Sequence, residues 1–366
     1  MRIEAATRYH GLDGLRAWMM LAGIWLHTVV GFSRDGGWPY KDPHPTDVYD
    51  FTLGIIHAFR MPAFYVMAGF FGALLYYRRG ARGFLANRAA RVLVPFLVCW
   101  TFLFALVGTL YAYAMHAGQR GTWSRVAAWM ISPAPLKLAH PMHLWFLEYL
   151  LFLYVLLLAG AWLAPRLAPE AVLGAVNRGF RAVAGSVWAP AIFALPMFGL
   201  LLLTKNGHLE DPPGFAPVVR ILLPYVLTVT FGWLLYLNSD LLENFRRNGG
   251  RHLAGALVFL LAWEFALQDL SRARGIEKAA RAGAVALFMW LMIYGLTGVF
   301  LRYLDRPSAR MRYLSDSSYW LYVFHMPVVM VYQIGLRPVP WPSALKVWIV
   351  LALAVPTLLA SYHWGV

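Results

Sequence analysis

An arginine and a histidine eleven residues apart hold the first chemical signal in this sequence. The segment L-D-G-L-R-A-W-M-M-L-A-G-I-W-L-H carries Asp13, Arg16 and His27. In an α-helix eleven residues come within about 20° of three full turns, so Arg16 and His27 share a face, about 16 Å apart along the axis. A histidine so placed could move a proton during a group transfer or accept the group itself. It could equally bond a neighbouring helix, with Arg16 reaching to an interface.

Three further groups follow. His57 and Arg60, in H-A-F-R-M-P-A-F, are three apart and share a face. An arginine there needs an anion or a carboxylate, and Asp50 and Glu148 are the structural partners available. Arg88 and Arg91 are again three apart, and two guanidinium forks on one face can clamp a phosphate. The run H-L-W-F-L-E brings His143, Trp145 and Glu148, and His325 follows in S-D-S-S-Y-W-L-Y-V-F-H-M-P. For His325 a helix–helix hydrogen bond is the expected role, and for Trp145 interfacial anchoring competes with function. Trp38, Trp123 and Trp145 could stack on sugar rings or anchor at an interface. Glu264 has no assigned role. Cys99 is alone, so neither a disulfide within the chain nor a thiolate metal site is expected. No phosphate-binding glycine loop, G-x-S-x-G elbow, H-E-x-x-H or C-x-x-C pair is present.

The elements that must position these residues are membrane helices. The chain has 366 residues, 60% hydrophobic and 13% charged, half the charge of an ordinary soluble domain. Mean hydropathy is +0.56. A crossing helix needs about 20 apolar residues, and ten candidates are expected at about 14–34, 51–77, 92–115, 143–163, 186–204, 216–238, 251–269, 282–304, 316–335 and 344–364. Pro190 and Pro196 should kink the fifth. Glu264 makes the seventh the weakest. With the N-terminus inside, inner segments hold seventeen Lys and Arg, from Arg2 and Arg8 to Arg312, against eleven in outer ones; this favours both termini in the cytoplasm. The first apolar run lacks a cleavage pattern and reads as a retained helix. A net charge of +15 would suggest nucleic acid on a soluble chain. Here the basic residues sit between apolar runs, where they hold helices and touch anionic lipid. The outer loops at 35–50 and 116–142 are rich in proline, tryptophan and histidine, including Pro39, His44 and His140.

Taken together, L-D-G-L-R-A with His27, F-R-M-P-A-F-Y-V-M-A-G-F at 59–70, R-A-A-R at 88–91, H-L-W-F-L at 143–147 and S-D-S-S-Y-W-L-Y-V-F-H-M-P at 315–327 resemble the bacterial membrane O-acyltransferases called acyltransferase family three, most of all the branch that succinylates osmoregulated periplasmic glucans. The resemblance covers essentially the whole chain. It implies an all-α polytopic protein in the bacterial inner membrane, one domain over 1–366, with about ten helices around a central cavity. It implies His27 as the essential histidine, Arg16 as its partner and Arg88 and Arg91 as the R-x-x-R pair. Glu148 departs from the glucan branch and joins His27 and Arg16 as a candidate catalytic residue.

The expected activity moves a short acyl group, succinyl first, from cytoplasmic acyl-CoA to a periplasmic glucan hydroxyl. Arg16, Arg88 and Arg91 would hold the donor's phosphates. The extended pantetheine arm is of the same order as the Arg16-to-His27 rise, so the thioester could reach His27 without CoA crossing. His57, Arg60, His143, Trp145 and His325 are candidates for the acyl group or acceptor, with Arg60 placed to pair with a succinyl carboxylate. No permanently bound cofactor, metal or nucleic acid is expected. Membrane lipid is a partner, and a homodimer is left open. The rivals are an O-acetyltransferase of another envelope glycan, a transporter or flippase without acyl chemistry, and a non-enzymatic membrane protein.

Overall fold

The computed structural model describes residues 9–38, 40–137 and 139–366; Arg2, Arg8 and Pro39 lie outside them. Among the described residues there is no strand. The helices are α1 His10–Val29, α2 Asp47–Arg88, α3 Val94–His116, α4 Thr122–Ile131, α5 Ala134–Lys137, α6 Trp145–Leu167, α7 Glu170–Ala184, α8 Ala189–Leu202, α9 Val219–Leu237, α10 Leu242–Ala262, α11 Gln268–Ala273, α12 Glu277–Tyr303, α13 Ala309–Leu336 and α14 Ser343–Gly365. Side chains such as Leu97, Val98, Phe102, Val258, Phe265 and Trp348 are exposed. An apolar outer surface of this kind is stable only against lipid.

Eight helical stretches are long and apolar enough to cross a membrane, and a ninth forms if α7 and α8 count as one bent span. One of the eight, Asp47–His116, is 70 residues long. It doubles back at Gly80, whose φ of 67° and ψ of 177° fall outside the helical region. Phe84 then packs on Tyr76, ring centroids 6.5 Å apart, and lies against Gly72. In a straight helix Gly72 and Phe84 would be about 18 Å apart. The stretch therefore makes two crossings, which restores the ten expected from hydropathy. A left-handed φ is cheap only for glycine, which explains the residue at this reversal.

The fifth crossing departs from expectation. The bend is 115° and falls at 185–188, between α7 and α8, ahead of Pro190. Pro190 occupies the first turn of α8, where its missing N–H costs nothing, and the helix continues through Pro196. The preceding α7 is tied to the turn before α10 by Arg181, which donates to Asp240 at 2.9 and 2.6 Å and to Asn238 at 3.0 Å. In the seventh crossing a π-helical segment, Trp263–Leu267, follows α10 and carries Glu264.

The chain ends and turns define two faces. One, the basic face, holds the start of α1, the Gly80 reversal with Arg78, Arg79 and Arg82, and the turn from α12 to α13. The far face holds the 33–46 and 203–218 loops. Small residues allow close packing between them. A side chain on Gly232 of α9 would strike the Val66 carbonyl of α2, so those two backbones touch.

Candidate active site

Three histidines from separate segments meet in the far half of the bundle. The His325 ring (α13) stands 4.9 Å from that of His27 (α1) and 5.1 Å from that of His143, centroid to centroid. His143 sits in a 3₁₀ turn, Met142–Leu144, that leads into α6. Met142 takes a left-handed φ of 53°, and its N–H donates to His140 Nδ1 at 2.8 Å. Strain of this kind collects at functional sites.

The hydrogen bonds of the rings leave nitrogen lone pairs free. His325 Nδ1 faces the Tyr322 carbonyl at 2.7 Å, and His143 Nε2 faces the Val323 carbonyl at 2.9 Å. A carbonyl only accepts, so both of those nitrogens carry hydrogen. The remaining His325 Nε2 and His143 Nδ1 are enclosed and have no partner, as is His27 Nδ1. In neutral rings the His325 and His143 nitrogens are lone pairs held ready for a proton, while no hydrogen bond of the His27 ring fixes which of its nitrogens carries the hydrogen. The expected helix–helix bond from His325 is not formed; its nitrogen bonds its own helix. Among the described residues no group of three His, Cys, Asp or Glu is placed to hold a metal ion.

The side of His27 toward the far face is closed by a clamp that sequence reasoning missed. Gln333, fully buried on α13, donates through Nε2 to the carbonyls of His27 at 3.1 Å and Thr28 at 2.8 Å. Its Oε1 accepts from Trp38 Nε1 at 2.9 Å. The Trp38 ring lies 5.7 Å from that of His27. The loop bearing Trp38 is held by a second buried contact. Asp42 Oδ2 accepts from Lys346 Nζ at 2.7 Å and from the Tyr40 hydroxyl at 3.1 Å, and Asp42 Oδ1 accepts from the His44 N–H at 3.0 Å. The Asp42 and Lys346 side chains are 0% and 1% exposed. Burial alone would raise the Asp42 carboxyl, but the bonds from Lys346 and the His44 N–H outweigh it and hold it below its ordinary value.

Arg60 is 8% exposed and packs against Gly23, one turn before His27. Its Nε is enclosed without a partner. Neither expected carboxylate meets it. Asp50 accepts from the N–H groups of Arg34 and Asp35 at 2.8 and 3.1 Å, and His57 lies 3.7 Å from Asp211. Glu148 is buried with Oε2 enclosed and unpartnered, and no hydrogen bond or ion pair joins it to His27 or Arg16. Trp145 is buried among Tyr149 and Tyr225, at 5.9 Å from each, so it is not an interfacial anchor. Trp123 is 67% exposed beside Tyr113.

At the basic face Arg16, Arg88 and Arg91 line one cavity of about 710 Å³. Arg16 donates to Ser315 Oγ at 2.7 Å and lies 3.4 Å from Asp13. The Arg88 guanidinium sits over the Tyr154 ring at 4.9 Å, and its Nε is enclosed without a partner. Arg91 follows in the π-helical segment Ala89–Leu93. The cavity also reaches Met20, Phe64, Phe146 and Tyr322. Met20 is two turns below His27 on the same face. The Tyr322 hydroxyl donates to the His143 carbonyl at 2.6 Å, and its own carbonyl holds His325. Tyr322 thus joins the cavity to the histidine cluster. Its place three residues before His325 was a readable signal.

Fold and site define a polytopic all-α membrane protein whose basic cavity leads toward buried histidines. The chain belongs to acyltransferase family three: that family's acyltransferase domain matches residues 9–363. It is a multi-pass membrane acyltransferase. It is similar to the glucans biosynthesis protein C of Escherichia coli O6:K15:H31, 26% identical over 341 residues, and to that of Salmonella typhimurium, 24% identical over 351 residues. Each alignment covers 91% of this chain and 85% of the relative. No solved structure matches the chain.

Proposed function

We propose that this chain transfers a short acyl group, succinyl first, from acyl-CoA bound at the basic face to a hydroxyl of a glucan arriving at the far face. The single observation behind this reading is the cavity that gathers Arg16, Arg88 and Arg91 at one end and reaches Tyr322, the residue bonded to His143 and His325, at the other. Arginines at the mouth suit the phosphates of CoA. The names of the relatives support a glucan acceptor. In this reading the basic face is cytoplasmic, the membrane is the bacterial inner membrane, and both termini are inside.

The step balances as follows. A neutral imidazole, His27 first, takes the proton from the glucan hydroxyl as its oxygen attacks the thioester carbonyl. The C–O bond forms, the C–S bond breaks, and the leaving thiolate takes the proton back from the imidazolium. The rival is an acyl-histidine intermediate, in which the imidazole nitrogen attacks first and the sugar hydroxyl second. Arg60, beside His27 and lacking a carboxylate partner, would pair with the free carboxylate of a succinyl group. Glu148 stays a candidate catalytic group through its unpartnered Oε2.

The test supplies purified protein in lipid nanodiscs with succinyl-CoA or acetyl-CoA and a gluco-oligosaccharide. Free thiol is followed together with the mass of the saccharide. Thiol release matched by a gain of succinyl mass supports the reading. Consumption of neither donor sinks it and favours transport.

A further inference from the structure

A second cavity opens on the far face, apart from the histidine cluster. Its volume is about 410 Å³, within the range of small-molecule sites. Phe51 at the start of α2, His208 in the 203–218 loop, Trp263 and Glu264 in the π-helical segment, and Arg281 and Phe288 on α12 form its walls. Ionisable groups in a wall facing only lipid are costly, yet His208, Glu264 and Arg281 converge here together with His57. A π-helical turn inside a helix marks functional sites. This one places Trp263 and Glu264 at the cavity, while its neighbour Phe265 is 83% exposed on the outside. Glu264 has no hydrogen bond or ion pair with any described residue, so its carboxylate has spare accepting capacity.

We propose that this cavity is a distal carbohydrate subsite that holds sugar units of the acceptor glucan away from the reacting hydroxyl. The inference rests on the glucan-acceptor reading. Pyranose rings present apolar C–H faces and a rim of hydroxyls. Aromatic rings take the first, and carboxylate, imidazole and guanidinium groups take the second. Phe51 and Trp263 are the platforms, and Glu264, His208 and Arg281 are the hydroxyl partners. An acyl chain would use the aromatic rings but waste the ionisable groups, which is why a sugar is preferred to lipid. Phe51, Gly54, Ile55 and Ala58 make a stripe on one side of α2, whereas Arg60 and Phe64 lie on the far side of the same helix. The cavity is therefore reached by a polymer that passes over α2, with His57 on the edge between the two faces.

The test uses glucose and gluco-oligosaccharides of two to six units with the full chain in nanodiscs. In the wild type, kcat/KM should rise with acceptor length. In Trp263→Ala and Glu264→Gln the preference for hexasaccharide over glucose should fall about tenfold. Binding is read separately by quenching of tryptophan fluorescence with hexasaccharide, and by calorimetry for Trp263→Ala. His27→Ala should still bind hexasaccharide while transferring nothing, which separates the subsite from the chemistry. Absence of saccharide binding by the wild type, or an unchanged length preference in both variants, overturns the proposal in favour of a lipid-filled cleft. Absence of transfer by the wild type, with its length-dependent binding intact, counts against the transferase reading and leaves the subsite standing.

Discussion

The rings of His27 and His325 lie 4.9 Å apart, brought together from residues 298 positions apart in the chain. His325 has its Nδ1 hydrogen committed to the Tyr322 carbonyl, which aims the other nitrogen inward. In the proposed mechanism His27→Ala abolishes transfer, and His325→Ala lowers kcat by about 10²–10⁴-fold, the usual value of a positioned acid or base. Steady-state rates on variants with wild-type melting curves are the check. An active His27→Ala protein would remove the mechanism.

Arg88→Ala and Arg91→Ala should each raise the KM for acyl-CoA about 10- to 100-fold, the loss of one charged hydrogen-bonding partner of about 1.5–3 kcal/mol. The effect should shrink for a donor analogue that lacks the nucleotide phosphates. Comparing KM for the two donors decides whether these guanidiniums read phosphate.

Arg60→Leu should cut succinyl transfer at least tenfold more than acetyl transfer, because only the succinyl group brings a carboxylate to the buried guanidinium. Gly23→Ala should act in the same direction, since the added carbon meets the guanidinium. Paired donor assays on both variants provide the measurement, and equal loss with both donors would make Arg60 structural.

Gln333→Leu removes the bond that holds Trp38 over His27. Water should then compete better for the thioester. The ratio of donor hydrolysis to glucan transfer should rise several-fold, as should that of Trp38→Ala. Thiol release set against saccharide mass gain reports the ratio, and an unchanged ratio in both variants discards the lid role.

Lys346→Met leaves the Asp42 carboxylate buried without its cation, a change that typically costs about 3–5 kcal/mol. The double variant Asp42→Asn, Lys346→Met should recover much of the loss. Because the folded Asp42 carboxyl is held below its unfolded value, the wild-type contribution is fully present above about pH 4 and is lost as pH falls through the depressed value. Thermal unfolding in detergent across pH for the three proteins tests the sign; a Lys346→Met protein as stable as the wild type would contradict it.

Membrane crossings were legible because each is a run of apolar residues, and a run is a local property. The shared face of Arg16 and His27 was legible for the same reason, as was the pairing of Arg88 with Arg91. Gln333 was invisible because its partners, His27, Thr28 and Trp38, are about 300 residues away, and a glutamine in an apolar helix carries no spacing signal. Lys346 lies within an apolar run that does not reveal its partner, because Asp42 lies on a loop whose path hydropathy does not describe. The bend before α8 was assigned to prolines, although the break lies in the four residues preceding Pro190. The partners expected for Arg60 failed because side-chain depth, unlike helical phase, depends on how neighbouring helices stagger.

α1 and α13 run side by side in the same direction and are fastened at three heights: Arg16 to Ser315, the His27 ring against that of His325, and Gln333 to the end of α1. From Ser315 to Gln333 the rise is about 27 Å, nearly the thickness of the hydrocarbon core. Two rods joined near both ends resist tilting against each other, so α1 and α13 form one rigid wall. In the proposed mechanism the acyl group passes along that stationary wall, and the parts left to move are the loop over His27 and the side chains that line the path.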